Sequence, residues 1–333
     1  MKKNTKSFKA LALLSGGLDS ILAVKLIQEQ GIDVEAVIFK SNFYNEKRGK
    51  EAAESLGIKY HIIDLTEKTI KLIENPRYGF GKNLNPCIDC HLLMIKETVK
   101  LMKKLGADFI ITGEVAGQRP KSQNYDALKI IAKECGADGR LLRPLSAKKL
   151  EPTVVELNNI VDREKLLDIT GKSRKKQMEL AKKYNITNYP SPAGGCLLTV
   201  PDFSDRLRFN LKHKKLNYID IEILKVGRHF ATPFNNKIII GRDKDENQVI
   251  LDLIDETYLI FELSDNRPGP VAVLSALEPD FSEIQAAASL TVRYSKFRNE
   301  TNVKVKFYKK NTENEDFITV SPKNYDELNL KML

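Results

Sequence analysis

A chain of 333 residues is long enough for two hydrophobic cores. Its 42% hydrophobic content comes in short runs, and none approaches the ~18 consecutive apolar residues of a bilayer-spanning helix, so no membrane association is expected. The net charge of +10 is unevenly held: residues 201–333 carry 20 Lys and Arg against 21 Asp and Glu, leaving the excess to the first 200. A basic half suits a polyanionic substrate such as RNA and equally a lysine-rich solvated surface, so charge alone does not decide. The basic start is followed by an apolar run that stops at a glycine turn, which does not read as a signal peptide, and a cytoplasmic location is expected. Four cysteines in such a chain read as thiols for metal binding or catalysis, not as a disulfide framework.

Apolar runs predict strands over 10–14, 34–39, 59–63 and 109–112, alternating with helices near 20–30, 47–56 and 91–105. That rhythm implies an α/β fold, a doubly wound parallel sheet with its ligand at the carboxyl ends of the strands. A lysine-bearing helical stretch follows over 162–184, and the Pro/Gly segment 189–195 breaks regular structure. Beyond 203 the pattern changes to strands over 221–226, 237–240, 258–262, 271–274 and 303–308, with helices over 246–254 and 280–293. The expected domains are 1–202 and a second, smaller α+β domain over 203–333.

Between the first strand and the first helix stands Ser15-Gly16-Gly17-Leu18-Asp19-Ser20. Glycines there admit close backbone approach, and the free amides of the first helical turn face a ligand with the positive end of the helix dipole. Such a nest fits a pyrophosphate. The stretch is neither a Walker loop nor a dinucleotide fingerprint. It resembles the PP-loop of the N-type ATP pyrophosphatases, which have the adenine nucleotide alpha hydrolase-like fold and cleave ATP between its α and β phosphates. The resemblance implies ATP binding by Ser15, Gly16, Gly17, Asp19 and Ser20, with Asp19 catalytic, holding Mg²⁺ or orienting the phosphates. It adds Phe39 at the end of the second strand.

Cys87 and Cys90 stand in Asn85-Pro86-Cys87-Ile88-Asp89-Cys90-His91, and Cys196 follows Gly195, all three read as loop residues among Pro and Gly; Cys135 stands apart as a small buried hydrophobe. C-x-x-C-H formally matches a haem attachment site, but that needs export. Structural zinc would need a fourth ligand. Three thiolates (Cys87, Cys90, Cys196) holding a [4Fe–4S] cluster with one open iron is a further reading, and a persulfide on one cysteine, resolved by its neighbour, is another. The last two both deliver sulfur.

Thr112-Gly113-Glu114-Val115-Ala116-Gly117-Gln118, running on to Ser122-Gln123, resembles a segment of the 4-thiouridine synthetase (ThiI) family, and Leu141-Leu142-Arg143-Pro144-Leu145 its next block. The upstream C-x-x-C matches the ThiI branch thought to use an iron–sulfur cluster, and Asn-Pro before a cysteine is similar to the 2-thiouridylases. The resemblance implies ATP-dependent tRNA thiolation through an adenylated uridine, with a [4Fe–4S] cluster on Cys87, Cys90 and Cys196 delivering the sulfur (zinc or metal-free persulfide chemistry as the alternative), catalytic Cys87 and Cys196, and sulfide or a cysteine desulfurase as donor. Gly113 and Glu114 would face the nucleotide; Gln118, Arg119, Lys121 and Ser122 would approach RNA. ThiI proteins carry an RNA-binding THUMP region and some a rhodanese domain, and neither is seen here. Segments 239–247, 267–270 and 286–296 resemble the NFACT-R module, implying RNA contacts through Arg293 and Lys296, with Arg206, Arg208, Lys212, Lys214, Lys215 and Arg298 as further basic groups. A homodimer stays open, as do adenylation of a small molecule and a non-enzymatic RNA-associated role.

Overall fold

The apolar run after the basic start becomes a central strand, β1 (Lys9–Leu13), flanked by strands that are themselves almost fully buried. The computed structural model describes residues 8–189, 195–213, 215–312 and 314–333. The start of the chain, the 190–194 part of the Pro/Gly loop and Lys214 therefore lie outside the described residues. The chain divides into two compact units, Met1–Thr199 and Val200–Leu333. Among the described residues no helix is long and apolar enough to cross a membrane.

In the first unit, elements alternate: α1 (Leu18–Gln28), β2 (Asp33–Lys40), α2 (Lys47–Leu56), β3 (Tyr60–Asp64), α3 (Thr66–Glu74), α4 (Cys87–Leu105), β4 (Phe109–Ile111), α5 (Tyr125–Glu134), β5 (Leu141–Leu142), α6 (Val154–Leu157) and α7 (Lys175–Lys183). The strands pair in parallel in the order β3-β2-β1-β4-β5, so the order reverses between β1 and β4. Period-two alternation sorts their side chains. Ala10, Ala12, Val34 and Ile38 pack with Ile21, Val24 and Ile27 of α1 on one face. Leu11, Val37 and Phe39 pack with Leu92, Ile95 and Val99 of α4 on the other. Helices on both faces make this the doubly wound sheet that the sequence rhythm predicts. At the amino ends of the strands Glu35, only 8% exposed, accepts hydrogen bonds from Lys9 Nζ at 2.7 Å and His61 Nε2 at 2.6 Å, with Lys59 3.6 Å away.

Two local expectations change in this unit, and a further strand is added. Helix α4 begins at Cys87, so Cys87 and Cys90 occupy its first turn and not a loop. The stretch 162–184 is not one helix: Gly171 turns with φ +80° and Thr170 bridges to Ala116, leaving only α7 and a short 3₁₀ turn at Arg163–Lys165. Leu141–Leu142 forms a short edge strand.

The second unit comprises α8 (Pro201–His213), α9 (Tyr218–Glu222), β6 (Arg228–Ala231), β7 (Lys237–Ile240), α10 (Lys244–Leu253), β8 (Tyr258–Leu263), β9 (Ala272–Ser275), α11 (Phe281–Arg293), β10 (Val303–Lys309), β11 (Asp316–Val320) and β12 (Lys331–Met332). Its antiparallel sheet runs β11-β10-β8-β9-β7-β6-β12. One face packs on α11 through Phe261, Leu274, Ala287 and Leu290. The other packs on α10 through Ile239, Ile260, Val273 and Ile250. The expected strand over 221–226 is helical instead, because Asn217 and Asp220 form a capping box that starts α9.

Candidate active site

The turn after β1 is built by one glycine in particular. Gly16 has φ +77°, and a Cβ there would run into the Arg48 carbonyl, so only glycine fits. Gly17 is different: its φ is −78° and a Cβ would meet only Ser15 Oγ at 3.5 Å. The loop closes on itself through Ser20, whose amide and Oγ both donate to the Gly17 carbonyl, at 3.0 and 2.8 Å. The unconsumed amides of the first turn of α1 then face outward from the carboxyl end of the sheet.

These residues open on a cavity of about 550 Å³, in the range of small-molecule sites. Ser15, Gly17, Asp19, Ser20 and Phe39 line it, as do Gly113 and Glu114 from beyond β4. Asp19 is held by one oxygen: Oδ2 accepts from Gln118 Nε2 at 2.8 Å. Its Oδ1 is buried with no hydrogen-bond partner among the described residues. A bare carboxylate oxygen beside a phosphate-type nest suits Mg²⁺, a hard cation that takes one or two carboxylates and the phosphates of its nucleotide.

Glu114 lines the cavity, but its oxygens are already engaged. Oε1 accepts from His91 Nδ1 at 2.6 Å, and Oε2 from Arg143 Nε at 2.8 Å and Thr112 Oγ1 at 3.0 Å. Burial alone would raise this carboxyl; the Arg143 charge and the His91 hydrogen bond outweigh it and hold it at about 2. Glu114 therefore orders the wall of the site instead of offering oxygens to a ligand.

The segment expected to meet RNA is mostly spoken for. Gln118 bridges Asp19 to Gln177 of α7, Ser122 is 2% exposed, and Lys121 Nζ donates to the Tyr78 carbonyl at 2.8 Å. Arg119 lines the cavity. Sequence reasoning gave no role to His91, Arg143, Arg174 or Gln177. The motif C-x-x-C-H contained His91 and the L-L-R-P-L block contained Arg143, whereas Arg174 caps, and Gln177 lies in, a lysine-rich helix that reads as a solvated face.

Three thiols share one neighbourhood. Burial first, then Cys196 and Cys87, push the Cys90 thiol well up. Burial pushes Cys196 up to about 11 despite a hydrogen bond from the Leu198 amide, with Cys87 adding to the rise. Asn85 Nδ2 donates to Cys87 Sγ at 3.1 Å. Cys196 lines the same cavity as Asp19; Cys87 and Cys90 do not. Cys135 is 1% exposed at the end of α5, in the apolar cluster under α4. Among the described residues no three His, Cys, Asp or Glu side chains gather as a set that could hold a metal ion. As arranged, the described cysteines do not form the ligand set of the expected cluster or of a zinc ion.

In the second unit Tyr294 and Phe297 pack against the sheet core, under Arg228 and Arg267 at 4.7 and 4.6 Å from the ring centroids. Arg293 Nε donates to Asn324, Arg206 to the Leu224 carbonyl, and Arg208 pairs with Asp205, while Lys212, Lys215, Lys296 and Arg298 are exposed.

The family described as thiamine biosynthesis protein (ThiI) matches residues 5–162, and that described as NFACT protein RNA binding domain matches 227–331. The tRNA-specific 2-thiouridylase MnmA of Karelsulcia muelleri is 30% identical over 311 residues, covering 80% of this chain and 78% of that protein. The chain belongs to the PP-loop group of ThiI and the 2-thiouridylases. The 2-thiouridylase MnmA of Sulfurimonas denitrificans is 38% identical over 163 residues, 43% of this PP-loop protein, which thus spans about half of that relative (47%). A solved 4-thiouridine synthetase–RNA complex with bound ATP is 24% identical at a TM-score of 0.36, covering 52% of this chain and 50% of that one.

Proposed function

We propose that this PP-loop protein thiolates a uridine of tRNA, consuming ATP and releasing AMP and pyrophosphate. The observation that carries the reading is the bare Oδ1 of Asp19, set over a glycine nest in a cavity that Cys196 also lines. The nest amides hold the phosphates; Mg²⁺ bound at Asp19 would neutralise their charge. A uridine carbonyl oxygen attacks the α-phosphate and pyrophosphate leaves, a displacement that depends on positioning and charge neutralisation. A persulfide on Cys196 then attacks the activated ring carbon and AMP leaves. Attack on the Cys196 sulfur by Cys87 or Cys90 breaks the S–S bond, frees the thiouridine and leaves a disulfide for an external thiol to reduce. Residues 1–202 carry this chemistry. Residues 203–333 grip the tRNA through exposed Lys212, Lys215, Lys296 and Arg298 in a unit that matches an RNA-binding family.

The test is to supply ATP, unmodified tRNA and a cysteine desulfurase with cysteine, whose persulfide hands its outer sulfur to Cys196, and to measure pyrophosphate and thiouridine. Pyrophosphate release that requires tRNA is expected, with none from Asp19→Ala. Release without RNA would overturn the reading in favour of small-molecule adenylation. ATP binding without turnover under any condition would instead make this an RNA-associated factor.

A further inference from the structure

The start of α7 places two polar side chains at the site: Arg174 at its N-cap, on the cavity wall, and Gln177 in its first turn, behind Gln118. Gln177 is fully buried, and its Nε2 donates to Gln118 Oε1 at 3.1 Å, the same Gln118 that donates to Asp19. Arg174 is the N-cap residue of α7, three residues before Gln177. Arg174 lines the cavity. Its Nε is buried with no hydrogen-bond partner among the described residues, and its guanidinium forms no ion pair among them. A buried N–H donor without a partner is costly, and on this half-buried side chain it persists where a ligand completes it. Arg143, by contrast, is matched to Glu114. The cavity also holds the Asp19 carboxylate, so a triphosphate entering it meets like charge and needs a cation from the wall. A guanidinium fork suits that task, because its planar donors fit two phosphate oxygens at once.

We propose that Arg174 is a phosphate-binding residue of this cavity, its guanidinium contacting the phosphate chain of the bound nucleoside triphosphate. The proposal rests on the ATP reading above. It makes α7 a working part of the nucleotide site: Gln177 fixes Asp19 through Gln118, and Arg174 supplies the charge that the loop lacks.

The experiment measures ATP and adenosine binding to the full chain by calorimetry, for wild type, Arg174→Ala and Arg174→Lys. Arg174→Ala should weaken ATP roughly 10- to 100-fold while leaving adenosine unchanged, the loss expected for a charge-assisted contact. Arg174→Lys keeps the charge but not the fork and should fall between. Should Arg174→Ala fail to fold, as its melting curve will tell, the ATP-to-adenosine affinity ratio of Arg174→Lys carries the test. Unchanged ATP affinity, or an equal loss for ATP and adenosine, overturns the proposal while the ATP reading stands. A wild-type chain that binds no ATP overturns both.

Discussion

Replacing Gly113 by alanine tests the close approach on which the nucleotide site depends. A Cβ at Gly113 would lie 2.5 Å from the Ser20 amide nitrogen and 2.6 Å from Asp19 C and Ser20 Cα. All three are backbone atoms of the first turn of α1, so no side chain swings aside to relieve them. Carbon contacts are comfortable at ~3.5 Å, so strand end and helix start must part by about 1 Å. Overpacking of this kind costs ~1–3 kcal/mol, and a rigid backbone neighbour puts Gly113→Ala near the top of that range, about 3 kcal/mol. In a unit of this size each kcal/mol moves the melting temperature by ~2–4 °C, giving a fall of roughly 6–12 °C. Asp19 moves with the helix, and a displacement of ~1 Å at a reacting centre costs on the order of 100-fold in rate. Thermal denaturation by circular dichroism and tRNA-dependent pyrophosphate release together read both effects. Gly57→Ala is the control: its φ is +64° but nothing lies within 4 Å of the added Cβ, so it should cost about 1 kcal/mol and leave turnover intact. If Gly113→Ala melts no lower than Gly57→Ala and turns over like wild type, the packing argument is wrong.

Burial alone would raise Glu35, but hydrogen bonds from His61 and Lys9 hold it at about 2 against an ordinary 4.5. A lowered carboxylate gives stability that is complete above 4.5 and fades as pH falls toward 2, so Glu35→Gln should lose on the order of 3 kcal/mol at neutral pH and less at each step into acid. Urea midpoints across that window check it, and a deficit that does not shrink refutes it. Glu114→Gln strands the buried Arg143 charge and should cost roughly 3–5 kcal/mol in urea unfolding; a near-neutral result would show that Arg143 has another counterion. Cys196→Ser should abolish thiouridine formation while keeping tRNA-dependent pyrophosphate release, whereas Cys135→Ser should thiolate normally. Loss of thiolation in Cys135→Ser would place that thiol in the sulfur path.

Where burial comes in continuous apolar runs, the sequence was legible. Residues 34–39, 237–240 and 258–262 are strands buried on both faces, and α2 and α11 follow amphipathic patterns with clear ends. What misled was polar chemistry at the ends of elements. Pro86 reads as a loop residue, yet proline is at home at a helix start, and it delivers Cys87 and Cys90 to the first turn of α4. The isoleucines after Asn217 read as a strand, although N-x-x-D was a visible capping signal. Within the site, the PP-loop residues were legible because their spacing is local. The partners of Asp19 were not: Gln118 lies 99 residues away and Gln177 farther still, and only the fold brings them together. Tyr294 and Phe297 stand beside basic residues in the sequence, and the fold sets both against the core of the second sheet.

The parallel sheet also sets where this protein can change. Lys9, Glu35 and His61 lie toward the amino ends of its strands and the glycine loop, Phe39 and Gly113 toward or beyond the carboxyl ends, so the pH-sensitive charge cluster and the cavity sit at opposite ends of the sheet. A library varied at positions 9, 33, 35, 59 and 61 is free to trade heat tolerance against pH range without disturbing the nucleotide cavity. The same latitude at 15–20 or 112–114 would be paid in turnover. Drift among relatives should therefore accumulate at one rim of the sheet and stay pinned at the other.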